Sequence, residues 1–167
     1  MREPGGSGSP PAQRGESRFG LSASATSVQI APESKYWLAG HYPLWKAAVA
    51  GAPLTDWVEM YDLSDGNVTA ASSTGATPYL GDGMAINRRQ SPASSVAKIR
   101  APTLILCDTG DFRVPIAQSF GLYRALKDNH VTTEFYAIPT AGHFASDPIL
   151  QMDVYQRWID WLVKYLT

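Results

Sequence analysis

A single cysteine, Cys107, stands in 167 residues, so the chain holds neither an intramolecular disulfide framework nor a multi-cysteine zinc site. A lone thiol fits a reducing compartment, and the expected setting is cytoplasmic. No run of about 18 apolar residues occurs, which excludes a transmembrane helix. The charged N-terminus lacks an apolar stretch of the kind a signal peptide needs. An excess of basic residues is also missing. Lys plus Arg number 14 against 15 Asp plus Glu, the formal charge is -1, and the pI is about 6.3. Nucleic acid is therefore not an expected partner, because phosphate recognition usually shows a basic face. The length suits one domain with a tail, at roughly 100–200 residues per domain.

Residues 1–34 are poor in large apolar side chains. Phe19, Leu21, Val28 and Ile30 are the main ones, while 5 Gly, 7 Ser and 4 Pro fill 16 of the 34 positions. Such a segment buries too little surface to offset its conformational entropy, and it is expected to be a disordered tail. Val28 to Ile30 is the one stretch there with strand character.

Residues 35–167 have a different texture. Tyr36 to Trp45 reads as a short helix ending near Pro43. Lys46 to Gly51 (KAAVAG) is a continuous small apolar run of the type found in buried parallel strands. Asp56 to Tyr61 begins a helix. Ser64 to Gln90 is a long polar stretch rich in Gly, Ser, Thr and Asn, and a connection of this length implies a functional loop, a small helix without a readable pattern, or mobility.

The last seventy residues are more clearly patterned. Pro102 to Cys107 (PTLILC) is a buried strand. Pro115 to Lys127 places Ile116, Phe120, Tyr123 and Leu126 at helical spacing. Thr132 to Ile138 is a second strand, expected to stop at Pro139. Asp147 and Pro148 sit where an N-cap and first turn belong. Leu150, Val154, Trp158, Trp161 or Leu162, and Tyr165 then stripe a final helix. Strand and helix in alternation predict an α/β fold with a parallel sheet flanked by helices.

Open α/β sheets place chemistry on loops at the carboxyl ends of their strands. Two such loops carry titratable groups: Asp108 to Pro115 (DTGDFRVP) after the first strand, and Thr140 to Phe144 (TAGHF) after the second. Adjacent parallel strands put Asp111 and His143 side by side. An acid that fixes an imidazole tautomer, and an imidazole that accepts a hydroxyl proton, form the orienting half of a nucleophilic triad. The residues alone leave a plainer alternative open, with Asp111 capping the following helix and His143 an ordinary loop residue. Ser95-Val96-Ala97-Lys98 fits the short Ser-x-x-Lys pattern, but its place ahead of Ile99-Arg100 reads as a loop. His41, Cys107, Asp108, Asp111 and His143 show no pair at zinc-ligand spacing, and no metal or cofactor is expected. His41 and His130 read as surface or helix-end residues, and Arg88-Arg89 as a solvated loop pair.

The stretch IRAPTLILCDTGDFRVPIAQSFGLYRALKDNHVTTEFYAIPTAGHF, Ile99 to Phe144, resembles the C-terminal part of the prolyl oligopeptidase family catalytic domain, an α/β-hydrolase. The run WKAAVAGAPLTDWVEMYDLSD, Trp45 to Asp65, is similar to it as well, as is Ser91-Pro92 ahead of the Pro-Thr-Leu strand. The resemblance spans about Trp37 to Thr167. It implies a partial α/β-hydrolase fold that hydrolyses peptide or ester bonds by acyl transfer. Asp111 would be the triad acid, His143 the base, and Arg113 a residue close to bound substrate.

The departure from that family is specific. No Gly-x-Ser-x-Gly elbow occurs in the chain. Its expected place reads Ser27-Val28-Gln29-Ile30-Ala31, and the nearest similar string is Gly20-Leu21-Ser22-Ala23-Ser24, which makes Ser22 the one candidate nucleophile. The expectation is a truncated domain lacking its first strands and its usual oxyanion donors. A bare KAAVAG edge then predicts a homodimer through the sheet edge or a borrowed strand, with Val28 to Ile30 the candidate, while exposed Trp37, Trp45 and Trp57 would form an apolar patch for a partner or a lipid-like ligand. The alternative function is a non-catalytic remnant that serves as a binding or oligomerisation module.

Overall fold

The computed structural model describes residues 45–143 and 145–167. Three parallel strands form one sheet in the order β1-β2-β3. They are β1 (Ala48–Gly51), β2 (Thr103–Gly110) and β3 (Thr133–Ala141). Between β1 and β2 lie α1 (Trp57–Leu63), α2 (Asn67–Thr74), α3 (Gly83–Gln90) and a 3-10 helix (Pro92–Lys98). The helix α4 (Ile116–Asp128) joins β2 to β3, and α5 (Pro148–Leu166) closes the chain. The expected parallel α/β architecture is present.

Strand alternation divides the core into two faces. Ile105 of β2 turns toward α4 and packs with Ala50, Ile99, Leu122, Leu126 and Val131. Leu104 and Leu106 turn the opposite way and meet Ala47, Ile138 and Trp161, with Leu150, Val154, Trp158 and Tyr165 of α5 alongside. The centre of the sheet is therefore covered on both sides, which is why β2 reads as a continuous apolar run. Asp147 accepts from the Ile149 and Leu150 N–H groups, and Pro148 stands in the first turn, so α5 begins where the sequence predicts.

Four local expectations change. Of the alternatives open for Ser64 to Gln90, the helical one holds, with two helices, α2 and α3, rather than one, and Arg88 and Arg89 stand exposed in the last turn of α3 rather than in a loop. These helices escape periodicity because they bury small or polar residues: Ala70 and Thr74 in α2, Gly83 and Asn87 in α3. The Asn87 amide donates to the Gly83 and Ala76 carbonyls, locking α3 to the loop before it. Secondly, β3 continues through Pro139 to Ala141. It is an edge strand among the described residues, and the register shifts opposite Asp108 and Gly110, so the missing N–H costs no regular ladder bond. Thirdly, the buried stripe of α4 is Gln118, Ser119, Leu122 and Leu126, whereas Phe120 is exposed. The Gln118 side chain accepts from the Thr55 and Asp56 N–H groups and donates to the Asp56 carbonyl, a network that fixes this phase. Fourthly, the Ser95 to Lys98 segment is part of the 3-10 helix rather than a loop.

Trp45 and Trp57 are half-buried rather than fully exposed. Residues 1–34, the helix expected from Tyr36, and Ser22, Trp37 and His41 lie outside the described residues. His130 stands exposed just past the end of α4, as expected.

Candidate active site

The carboxyl ends of β2 and β3 are neighbours because the two strands pair in parallel to their last residues, Gly110 opposite Ala141. Gly110 permits this closeness. A Cβ there would stand 3.0 Å from the Ala141 Cα and 3.2 Å from the Thr140 carbonyl oxygen. Each strand then delivers one functional side chain into the same space.

Asp111 has a fully buried side chain, and its Oδ2 lies 2.8 Å from His143 Nδ1. Its Oδ1 accepts from the Arg113 N–H at 2.8 Å and the Val114 N–H at 2.9 Å. A carboxylate offers only acceptors, so Nδ1 of a neutral His143 carries the proton and the basic lone pair falls on Nε2. The His143 side chain is 28% exposed, enough to open onto solvent at one side. Gly142 before it has φ +100°, a conformation costly for any side chain, and its N–H donates to the Gly110 carbonyl. That turn aims the imidazole back at Asp111.

A cavity of about 480 Å³ lies beside the pair, lined by Asp65, Gly110, Phe112, Arg113, Gly142 and His143. Phe112 is exposed and supplies an apolar wall. Arg113 forms a two-pronged ion pair with Asp65, Nε to Oδ1 at 2.9 Å and Nη2 to Oδ2 at 3.2 Å.

Two buried groups lie close by. Asp108 is 4% exposed, and its Oδ2 has no hydrogen-bond partner among the described residues. Burial, and then the charge of Asp111, raise its pKa above the ordinary carboxylate value, while His143 pulls it down. The Cys107 thiol is pushed up to about 11, mainly by burial.

The structure thus brings together Asp111, His143 and Arg113. Ser95 is buried and Lys98 exposed in the 3-10 helix, away from this cavity. No group of three His, Cys, Asp or Glu suited to a metal ion occurs among the described residues. Sequence reasoning missed Phe112 and Asp65. Asp65 meets Arg113 across 48 residues of sequence, and no local pattern announces such a pair.

This arrangement is a partial α/β-hydrolase fold: a parallel sheet between helices, with an acid and an imidazole at the carboxyl ends of adjacent strands. The family model described as the prolyl oligopeptidase family, Peptidase S9, matches residues 35–167. The chain belongs to the prolyl oligopeptidase family. It is similar to the acylamino-acid-releasing enzyme of Homo sapiens, 28% identical over 135 residues, covering 77% of this chain and 18% of that protein. It is also similar to the Arabidopsis thaliana acylamino-acid-releasing enzyme, 34% identical over 77 residues, covering 46% of this chain and 10% of that one. Among solved structures, Pyrococcus horikoshii acylaminoacyl peptidase superposes with a TM-score of 0.73 at 21% identity, covering 81% of this chain and 22% of that one. The chain therefore spans between a tenth and a fifth of the curated relatives just described.

Proposed function

We propose that the domain formed by residues 35–167 carries the acid and base of a serine-type peptidase or esterase, which cleaves peptide or small ester bonds by acyl transfer. The observation that supports this reading best is the 2.8 Å contact between a buried Asp111 and His143 at the rim of a cavity, in a chain of this family. Asp111 holds the Nδ1–H tautomer, so that Nε2 of His143 accepts the proton of a hydroxyl nucleophile and later returns it to the leaving group. Arg113 binds the acyl or peptide portion of the substrate in the cavity. Ser22 is the nucleophile candidate within this chain, and a serine from a second chain is the other source. The single buried thiol suits a cytoplasmic setting.

The reaction is tested with p-nitrophenyl esters and a chromogenic peptide. Turnover that depends on His143, and is lost in His143→Ala, supports the proposal. Turnover no faster than that of free imidazole contradicts it.

The position of β1 favours a second reading, a binding or oligomerisation module. This strand has β2 on one side and no further partner strand among the described residues. An open apolar edge is a template for strand addition, here from a second copy. Light scattering on the eluting protein at micromolar concentration should give a dimer mass, and a clean monomer would remove this reading.

A further inference from the structure

The two peptide groups that hold the Asp111 carboxylate are both gripped from behind by one turn. The peptide between Phe112 and Arg113 donates its N–H to Asp111 Oδ1, while its carbonyl accepts from the Asp65 N–H at 2.9 Å. The next peptide, between Arg113 and Val114, donates its N–H to the same oxygen, and its carbonyl accepts from the Ser64 hydroxyl at 2.7 Å. Two parallel chains of hydrogen bonds thus run from the turn after α1, through two peptides, into one carboxylate oxygen. The other carboxylate oxygen faces His143.

The turn is itself fixed. Ser64 ends α1, its N–H donating to the Met60 carbonyl, and its Oγ accepts from the Gly66 N–H at 2.9 Å. With that acceptance made, the hydroxyl proton is directed at the Arg113 carbonyl. The Asp65 carboxylate adds the two-pronged pair with the Arg113 guanidinium. A loop cap needs only the two N–H groups on Oδ1. The contacts behind those peptides serve no capping purpose, and they polarise and immobilise the donors that set the carboxylate's position.

We propose that Ser64 and Asp65 are positioning residues: their turn holds the 112–114 peptides so that Asp111 keeps His143 in its Nδ1–H form. This deepens the acid–base reading above and rests on it. Linked hydrogen bonds reinforce one another, and the net value of one such bond predicts an effect of about fivefold in rate when it is lost.

The test compares Ser64→Thr, which keeps the hydroxyl, with Ser64→Val, which has the same shape without it. Both are made in the full chain and labelled with ¹⁵N, and the His143 ring nitrogens are followed against pH. Among the described residues, the charged groups around that ring are Asp111 and Asp108 from β2 and its loop, with the Arg113–Asp65 pair across the cavity. The Thr variant should retain the wild-type Nδ1–H signature and ester turnover. The Val variant should shift ring population toward Nε2–H and lower kcat about fivefold with KM little changed. Identical ring spectra in the two variants would overturn the proposal, as would a ring shift in Val that Thr shares. A ring response in Val in a protein without turnover would support positioning while sinking the hydrolase reading, so the two failures are distinct.

Discussion

Replacing Asp111 by asparagine should leave the fold nearly intact and reverse the tautomer of His143. The structure gives the reason atom by atom. Asp111 Oδ1 accepts both the Arg113 and Val114 N–H groups, so an amide oxygen can take over that position. The amide NH₂ then replaces Oδ2 at 2.8 Å from His143 Nδ1. An NH₂ group only donates, so Nδ1 must accept and the ring proton moves to Nε2. The Asn variant should lose about 1 kcal/mol, because the charge on one hydrogen-bond acceptor has gone. Asp111→Ala is different: it strands two N–H groups, one on the buried Val114, and should cost about 3 kcal/mol. Urea melts should therefore separate the two variants by about 2 kcal/mol. Long-range ¹H–¹⁵N spectra should show the tautomer exchange in the Asn variant. Hydrolysis, where Nε2 must accept a proton, should fall by the order of 10⁴-fold, the scale known for such an acid-to-amide change in a triad. An Asn variant whose imidazole keeps its Nδ1–H would refute the reasoning, as would an Asn variant no more stable than Ala.

Two further outcomes follow from buried groups. The Cys107 thiol, raised to about 11 by burial, should resist iodoacetamide at pH 8 until the chain unfolds. Its folded pKa exceeds its unfolded value near 9, so its contribution to stability is complete below pH 9 and is lost between about pH 9 and 11. Cys107→Ala should flatten that part of the stability profile, and rapid labelling of the native wild type at pH 8 would contradict the burial argument. Gly83 stands where a Cβ would lie 1.8 Å from the Thr77 carbonyl oxygen, so Gly83→Ala must displace backbone and should cost about 1–3 kcal/mol. A thermal melt within a degree of wild type would count against it.

The sequence made the parallel sheet and the acid–imidazole pair legible for a shared reason. β2 and β3 are short β-favouring runs, and a parallel pairing of such strands brings the loops at their ends together. Asp147 and Pro148 likewise announce the start of α5 by local chemistry. What stayed hidden depends on distant partners. Asn67 to Thr74 buries little more than Ala70 and Thr74, so α2 has no stripe to read. Gln118 looks like a surface residue until Thr55, 63 positions away, supplies its partners. Pro139 reads as a strand end, because sequence does not reveal that β3 is an edge. Ser64 and Asp65 lie in a run that resembles the family, but their partners are the Phe112 and Arg113 carbonyls, about 50 residues on.

Activation of a serine by Asp111 and His143 would leave a direct chemical signature. A fluorophosphonate probe, which forms a covalent bond only with an activated hydroxyl, tests it directly by intact-protein mass. One probe should add stoichiometrically to the native chain, and none to His143→Ala. No addition, or addition unchanged by the loss of His143, would contradict that activation.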